Sequence, residues 1–136
     1  MSHKQLITRW FEEVWNKKRE SAVDEMLAPK VLIYGIPGDV IKTPAEFKIF
    51  RKSLLAAFPD LHVAVDETIE EGDRVVARCT VTGTHTGTGM GAPTNKAISF
   101  TGTCIAQVHQ GKMVGGWNHF DFLRLYDQIG LVKMLT

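Results

Sequence analysis

Near the C-terminus the stretch GGWNHFDFLRL, residues 115–125, puts His119 and Asp121 two residues apart, with Trp117, Phe120, Phe122 and Leu123 as neighbours. On a β-strand alternate residues share a face, so Trp117, His119 and Asp121 line one side and Asn118, Phe120 and Phe122 the other. If the tryptophan side is the concave one, Asp121 stands in an apolar cleft. Desolvation there raises the pKa of a carboxyl group and makes it a usable general acid or base. A histidine on the same face can orient that acid or share its proton. The plainer readings are a solvated or ion-paired aspartate at a strand end and a hydrogen-bonded histidine in a half-buried strand.

Other residues could complete such a site. His85 lies between TVTGT and a glycine-rich loop, where it points into a cavity mouth or caps backbone groups in a turn. Tyr34 could hydrogen-bond a ligand oxygen or simply pack as an amphipathic strand residue. Trp10, Phe11, Trp15, Phe50, Leu54 and Phe58 wall a pocket or form plain core. Motifs for other chemistry are missing: there is no GxSxG, CxxC, HExxH or EF-hand spacing, and no dinucleotide fingerprint. The loop GTGMGAPTNK lacks a GK[ST] ending and leads into a strand, so its glycines are expected to serve turns and a mobile flap. The five histidines are scattered. A catalyst built from this chain is therefore expected to need no metal and no cofactor.

The elements that must position these residues follow from periodicity. Leu6, Ile7, Trp10, Phe11, Val14 and Trp15 form the stripe of an amphipathic helix over residues 3–17, with Ser2 as N-cap. A second short helix is expected at 19–27, stopped by Pro29, and then a strand at 31–35. Thr43, Pro44 and Glu46 supply a cap, a proline at the first position and an acid at the third, opening a helix to Ala57 that Pro59 ends. From residue 61 the period changes to two. LHVAVDETIEE, GDRVVARCTVTGTH, AISFTGTCIAQVHQ and KMVGGWNHFDF read as four long strands. Tight hairpins are expected at 71–73 and 110–112, and a short helix in the tail LYDQIGLVKML.

Helices first and an antiparallel meander after make an α+β plan, one domain over residues 1–136. Val75, Ala77, Cys79 and Val81 share a face with Ile98, Phe100, Gly102, Cys104, Ala106 and Val108, and that face should meet the helices. The opposite face, with Arg78, Thr80, Thr101, Thr103 and Ile105, is mixed in polarity and suits a second subunit, hence an expected homodimer.

Composition narrows the class. The chain has 136 residues, 44% hydrophobic and 23% charged, with a formal net charge of +1. That is a globular domain rather than a disordered tail, and its charge argues against a nucleic-acid partner. No segment is long and apolar enough to span a bilayer, so no membrane partner is expected. No signal peptide is read at the N-terminus. Cys79 and Cys104 have no metal-ligand spacing and read as reduced core thiols of a cytoplasmic protein.

AAFPDLHVAV (56–65), EGDRVVARCTVTGTHTGTGMGAP (71–93), HQGKMVGGWNHFD (109–121) and LYDQIG (125–130) together resemble the SnoaL-like polyketide cyclase family of the NTF2-like, cystatin-like α+β superfamily. The resemblance covers nearly the whole chain and keeps the order of elements. It implies a cone, a strongly curved antiparallel sheet wrapped by the N-terminal helices around an apolar pocket, and homodimers packed through the sheets. It implies intramolecular aldol cyclisation or a related isomerisation of a hydrophobic, carbonyl-containing small molecule, with no metal or cofactor. The acid/base aspartate of the family maps onto Asp121. The family's partner histidine, on the preceding strand, has no secure counterpart near Gln107 and His109; His119 or His85 stands in for it. The expected catalytic set is thus Asp121, His119 and His85, with Tyr34, Trp10, Phe50, Leu54, Phe58 and Trp117 binding substrate. Two other functions fit the same fold: a non-catalytic small-molecule-binding dimer, and an epoxide hydrolase or isomerase.

Overall fold

A computed structural model of the chain describes residues 1–133 and 135. Helix α1 spans His3–Trp10 and continues into a π-helical turn, Phe11–Asn16; α2 is Ser21–Met26 and α3 is Pro44–Ala57. The strands are β1 Leu27–Tyr34, β2 His62–Glu71, β3 Arg74–Thr84, β4 Ala97–His109 and β5 Lys112–Phe120, and α4, Phe122–Gln128, follows the last strand. Of the expected tail helix, only the part up to Gln128 is helical, and Met134 lies outside the described residues.

The helix starts obey the local chemistry. Ser2 and Gln5 form a reciprocal capping box, and the Thr43 hydroxyl accepts the Glu46 N–H at 3.2 Å with Pro44 at the first helical position. The end of the first helix is less ordinary. The helix ends in a π turn, and two cations take the last carbonyls, which at any helix end lack intrahelical partners. The buried Arg51 donates from Nε to the Val14 carbonyl at 3.0 Å. Lys18 donates from Nζ to the Trp15, Asn16 and Leu61 carbonyls at 3.2–3.4 Å. Positive charge at a helix C-terminus also suits the dipole.

The sheet order is β1-β5-β4-β3-β2. β2 to β5 form the antiparallel meander, while β1 joins the outside of β5 in parallel, so the sheet is mixed rather than wholly antiparallel. The chain reaches β1 directly from α2, and the crossover through α3 and the meander brings β5 back beside it. The His109–Lys112 hairpin turns through Gln110 and Gly111, both with positive φ (50° and 78°). Two β-bulges bend the meander, one leaving Asp66 unpaired in β2 and one leaving Val114 unpaired in β5.

α1 and the π turn lie over β2 and β3, α2 and α3 against β1, and α4 against β4. The concave face carries Val75, Ala77, Cys79, Val81, Ile98, Phe100, Cys104, Ala106 and Val108, all buried, as the alternation in β3 and β4 requires. β1, bridged at Ile33 by Ile41, is one edge of the sheet and β2 is the other. Asn16 covers part of β2: its Oδ1 accepts the Val63 N–H at 2.7 Å and its Nδ2 donates to the Val63 carbonyl at 2.9 Å. One side chain thereby imitates a neighbouring strand where an open edge would invite pairing with another chain. No helix among the described residues is long and apolar enough to cross a membrane.

Candidate binding cavity

The helices and the concave sheet face enclose a small cavity of about 60 Å³. The π turn shapes one wall. With more than four residues per turn, Trp10 and Phe11 come to lie on the same side as Trp15, and all three line the space. From α3 come Phe47, Phe50 and Leu54, and from the sheet Val63, Val81 and Phe100. Edge-to-face contacts of Trp15 with Phe47 and Phe50, each with ring centroids at 6.0 Å, hold the aromatic wall. Ile36, Phe50, Asn118, Phe120 and Phe122 are the half-buried lining residues and rim the opening.

Among the described residues Asn118 is the one lining side chain with an amide, hydroxyl or charge; otherwise the walls carry only the indole N–H groups of Trp10 and Trp15. Its Nδ2 donates to the Tyr34 carbonyl at 3.1 Å, which ties β5 to the end of β1. A second cavity of about 40 Å³ lies deeper, between β1, β4 and β5, and shares Trp10, Phe47 and Asn118 with the first. Trp10 and Phe47, ring centroids 5.0 Å apart, stand between the two.

Trp10, Phe50 and Leu54 line the cavity; the other expected site residues do not. Phe58 is fully buried beneath His85, ring centroids 5.3 Å apart, and belongs to the core. Trp117, His119 and Asp121 lie on the convex face, because Trp117 pairs with Ile105 and His119 with Thr103, both outward-facing positions. The concave side of β5 is the Asn118 and Phe120 side. Tyr34 stacks on Trp117 on that outer face at 6.1 Å, and the Arg74 guanidinium lies 5.0 Å over the same indole.

Asp121 is exposed and caps α4, its Oδ1 accepting the Arg124 N–H at 3.0 Å, while its own N–H donates to the Thr101 carbonyl at 2.9 Å. With His119, Thr101, Thr103 and Arg78 it borders an open groove of about 450 Å³. Arg78 in that groove is already engaged with Glu67 at 3.1 Å. Asp121 nevertheless sits between two cavity-lining residues, Phe120 and Phe122, so its backbone passes along the rim.

His85 is fully buried and far from exposed chemistry. Its Nδ1 accepts the Thr94 N–H at 3.3 Å and lies 3.0 Å from the Thr94 hydroxyl, and its Nε2 has no hydrogen-bond partner among the described residues. The glycine-rich loop it begins, residues 85–96, does not line the cavity. It is tied down where the Gly87 N–H meets the Ala57 carbonyl at 3.1 Å, an approach so close that a Cβ on Gly87 would run into the Ala56 carbonyl. Cys79 and Cys104 are buried free thiols on neighbouring strands, both pushed up to about 12 by burial. Among the described residues no group of three or more His, Cys, Asp or Glu comes together that could hold a metal ion.

Asn118 is the residue that alternation along β5 undervalues, since its importance depends on which face of the strand is concave. The neighbouring pattern did carry a hint: Phe120 and Phe122 share its face, and two aromatic side chains are better buried than a histidine and an acid.

Comparison with known proteins agrees with this architecture. The family model for SnoaL-like polyketide cyclase matches residues 5–129. No curated protein matches the chain. Among solved structures, AclR, a candidate hydroxylase from Streptomyces galilaeus, is similar at 28% identity and a TM-score of 0.85, over 98% of this chain and 83% of that one. A candidate polyketide cyclase from Acidithiobacillus ferrooxidans is similar at 31% identity and a TM-score of 0.83, over 96% of this chain and 99% of that one. A protein with a ketosteroid isomerase-like fold from Catenulispora acidiphila shares the fold alone, at 15% identity and a TM-score of 0.80 over 99% of both chains. With its helices wrapped over a five-stranded sheet and nearly every residue inside the family match, the chain belongs to the SnoaL-like polyketide cyclase family.

Proposed function

We propose that the cone is the working end of this protein and that it takes a hydrophobic, carbonyl-containing small molecule without a metal or organic cofactor. The observation that carries this reading is the lining of the cavity: aromatic and aliphatic on every side, with Asn118 as its only amide. Burying an apolar surface there gains about 25 cal/mol per Å², and one polar group fixes orientation. At about 60 Å³ the cavity is smaller than the roughly 150 Å³ that accommodates benzene in an engineered core, so the half-buried rim must yield as the ligand enters. Methyl NMR tests this directly. Toluene or acetophenone should shift the methyl signals of Leu54, Leu61, Val63 and Val81; shifts confined to the outer face, or none, would overturn it.

A second reading adds chemistry to binding: aldol cyclisation or a related isomerisation, with Asp121 as general acid/base. It is supported by family membership and by the position of Asp121 between Phe120 and Phe122 at the rim. The reacting carbon would have to project from the mouth, and Asp121 would have to leave its cap on α4. Asp121→Asn separates the two: ligand binding unchanged in both, but solvent exchange at the carbon α to the carbonyl abolished only if the acid is catalytic. In that reading His119 and His85 do not act on the substrate directly, since one faces outward and the other is fully buried against Phe58.

The outer face is proposed to pair two copies of the chain. Tyr34, Trp117 and Arg74 form a cluster of the residue types that dominate interface energetics, beside Ile105 and Val76. Sedimentation velocity should show a dimer that Trp117→Lys dissociates. Two reduced buried thiols fit a cytoplasmic site of action.

A further inference from the structure

We infer that the two cavities are halves of one chamber and that its ligand is poor in oxygen: a chain or ring system, apolar at both ends, with a single carbonyl or hydroxyl near its middle. This rests on the reading that the cone binds a small molecule. The outer cavity and the deeper one share Trp10, Phe47 and Asn118, and the Trp10 and Phe47 rings that border both are in contact. Displacing one indole joins them. Asn118 borders both, which puts the only amide midway along the joined space rather than at either end.

The deeper half is lined by Leu27, Val31, Met113 and Ala106 and by the bare backbone at Gly116. Away from Asn118 its only side-chain donors among the described residues are the weak Cys104 thiol and the Trp10 indole at the boundary, and Leu61, Val63 and Val81 of the outer half offer none. An unpaired carbonyl or hydroxyl placed against such walls loses its water without compensation. A polyketone with oxygens on alternate carbons would suffer that loss at each end. One polar group opposite Asn118 would not. Part of the amide is already held by the Tyr34 carbonyl, so the side chain is pre-oriented.

Gly116 supplies a mild way to block the deeper half. A Cβ built there meets Asn118 Nδ2 and Ile33 Cγ2 at 3.8 Å, ordinary contact distances, and its φ is not in the left-handed region. Gly116→Ala should therefore fold while narrowing the back of the chamber; Ala106→Val, on β4, is a second variant with the same purpose.

The experiment titrates the full-length chain with 3-pentanone, 4-heptanone and 2,6-heptanedione, reading Trp fluorescence and the Leu and Val methyl signals. The wild type should bind 4-heptanone at least tenfold more tightly than 2,6-heptanedione. Asn118→Leu should weaken 4-heptanone about tenfold, the loss of one hydrogen bond. Gly116→Ala and Ala106→Val should remove the advantage of 4-heptanone over 3-pentanone. Equal binding of the dione, or insensitivity to Asn118→Leu, overturns the oxygen-poor ligand. An unchanged chain-length advantage in both back-wall variants overturns the single chamber. If toluene binds in the cone and none of the ketones does, the inference fails while the binding function stands; if none of these compounds enters the cone, the binding function fails with it.

Discussion

Trp117 stands opposite Ile105 across β4 and β5, and Asn118 stands opposite Cys104. The pairing starts at the hairpin with His109 and Lys112, then Val108 and Met113. Val114 is then passed over, and Gln107 meets Gly115. That one extra residue exchanges the two faces of the rest of β5. It turns Asn118 and Phe120 into the cone and leaves Trp117, His119 and Asp121 outside. On its other side β4 stays regular: the Val108 N–H donates to the Asp73 carbonyl at 2.8 Å, one step beyond the Arg74–Gln107 pair.

Asp121 has a structural role that can be separated from a chemical one. As N-cap of α4 its carboxylate accepts the Arg124 N–H. Asparagine can make the same bond, alanine cannot. Asp121→Ala should lower unfolding free energy by about 1 kcal/mol and Asp121→Asn by much less, measured by urea denaturation. Any turnover lost in Asp121→Asn is then chemical rather than structural.

Gly102 lies opposite Phe120, and the Phe120 ring covers it so closely that an added Cβ would collide with ring and backbone atoms. Gly102→Ala must push that ring toward the cavity. The expected outcome is a loss of about 1–3 kcal/mol in stability together with weaker ligand binding, since Phe120 lines the opening. Phe120→Leu in the Gly102→Ala background should recover part of the stability, since it relieves the ring clash but not the contact with the Phe120 Cα.

Asn16 holds the backbone of Val63 at two points, and Val63 is buried. Asn16→Ala strands a donor and an acceptor there. Stability should fall by about 2 kcal/mol, and hydrogen exchange at the Val63 amide should accelerate toward the rate of an open strand edge. Asn16→Asp keeps the acceptor for the Val63 N–H and should cost less than the alanine variant in that exchange.

The two buried thiols make stability depend on alkaline pH. Their folded pKa values, pushed up to about 12, lie above the ordinary value of 9.0, so above pH 9 the unfolded chain releases protons that the folded chain keeps. Stability is fully present below pH 9 and declines as pH rises toward 12, with a slope of up to about 1.4 kcal/mol per pH unit for each thiol. Replacing Cys79 and Cys104 with alanine should flatten the profile of urea midpoint against pH in that range. In the native wild type at pH 8, a thiol reagent should react only at the rate of unfolding.

Much of the molecule is legible in the chain. Ser2 and Thr43 mark helix starts by capping chemistry that acts within four residues. Alternation places Val75 to Val81 and Ile98 to Val108 on the concave side because both strands are long and one face is so much more apolar. The strings FPDL, EGD, GTHTG and GGWNHFD carried the family. What the chain does not display is a register. Trp117 and Asn118 alternate equally well either way, and a regular ladder from the His109–Lys112 hairpin would have put Trp117 opposite Cys104, inside the cone. Only the assembled sheet inserts Val114 as a bulge, where β1 joins β5 in parallel and the ladder must bend to meet it. The π turn at Phe11–Asn16 is likewise a tertiary decision, held open by Arg51 from α3 and by the Lys18 contact with Leu61. Local sequence determined which segments are helix and strand, because capping and periodicity are short-range. The identity of the cavity's one amide rested on a single-residue offset between strands, set by packing across the whole sheet.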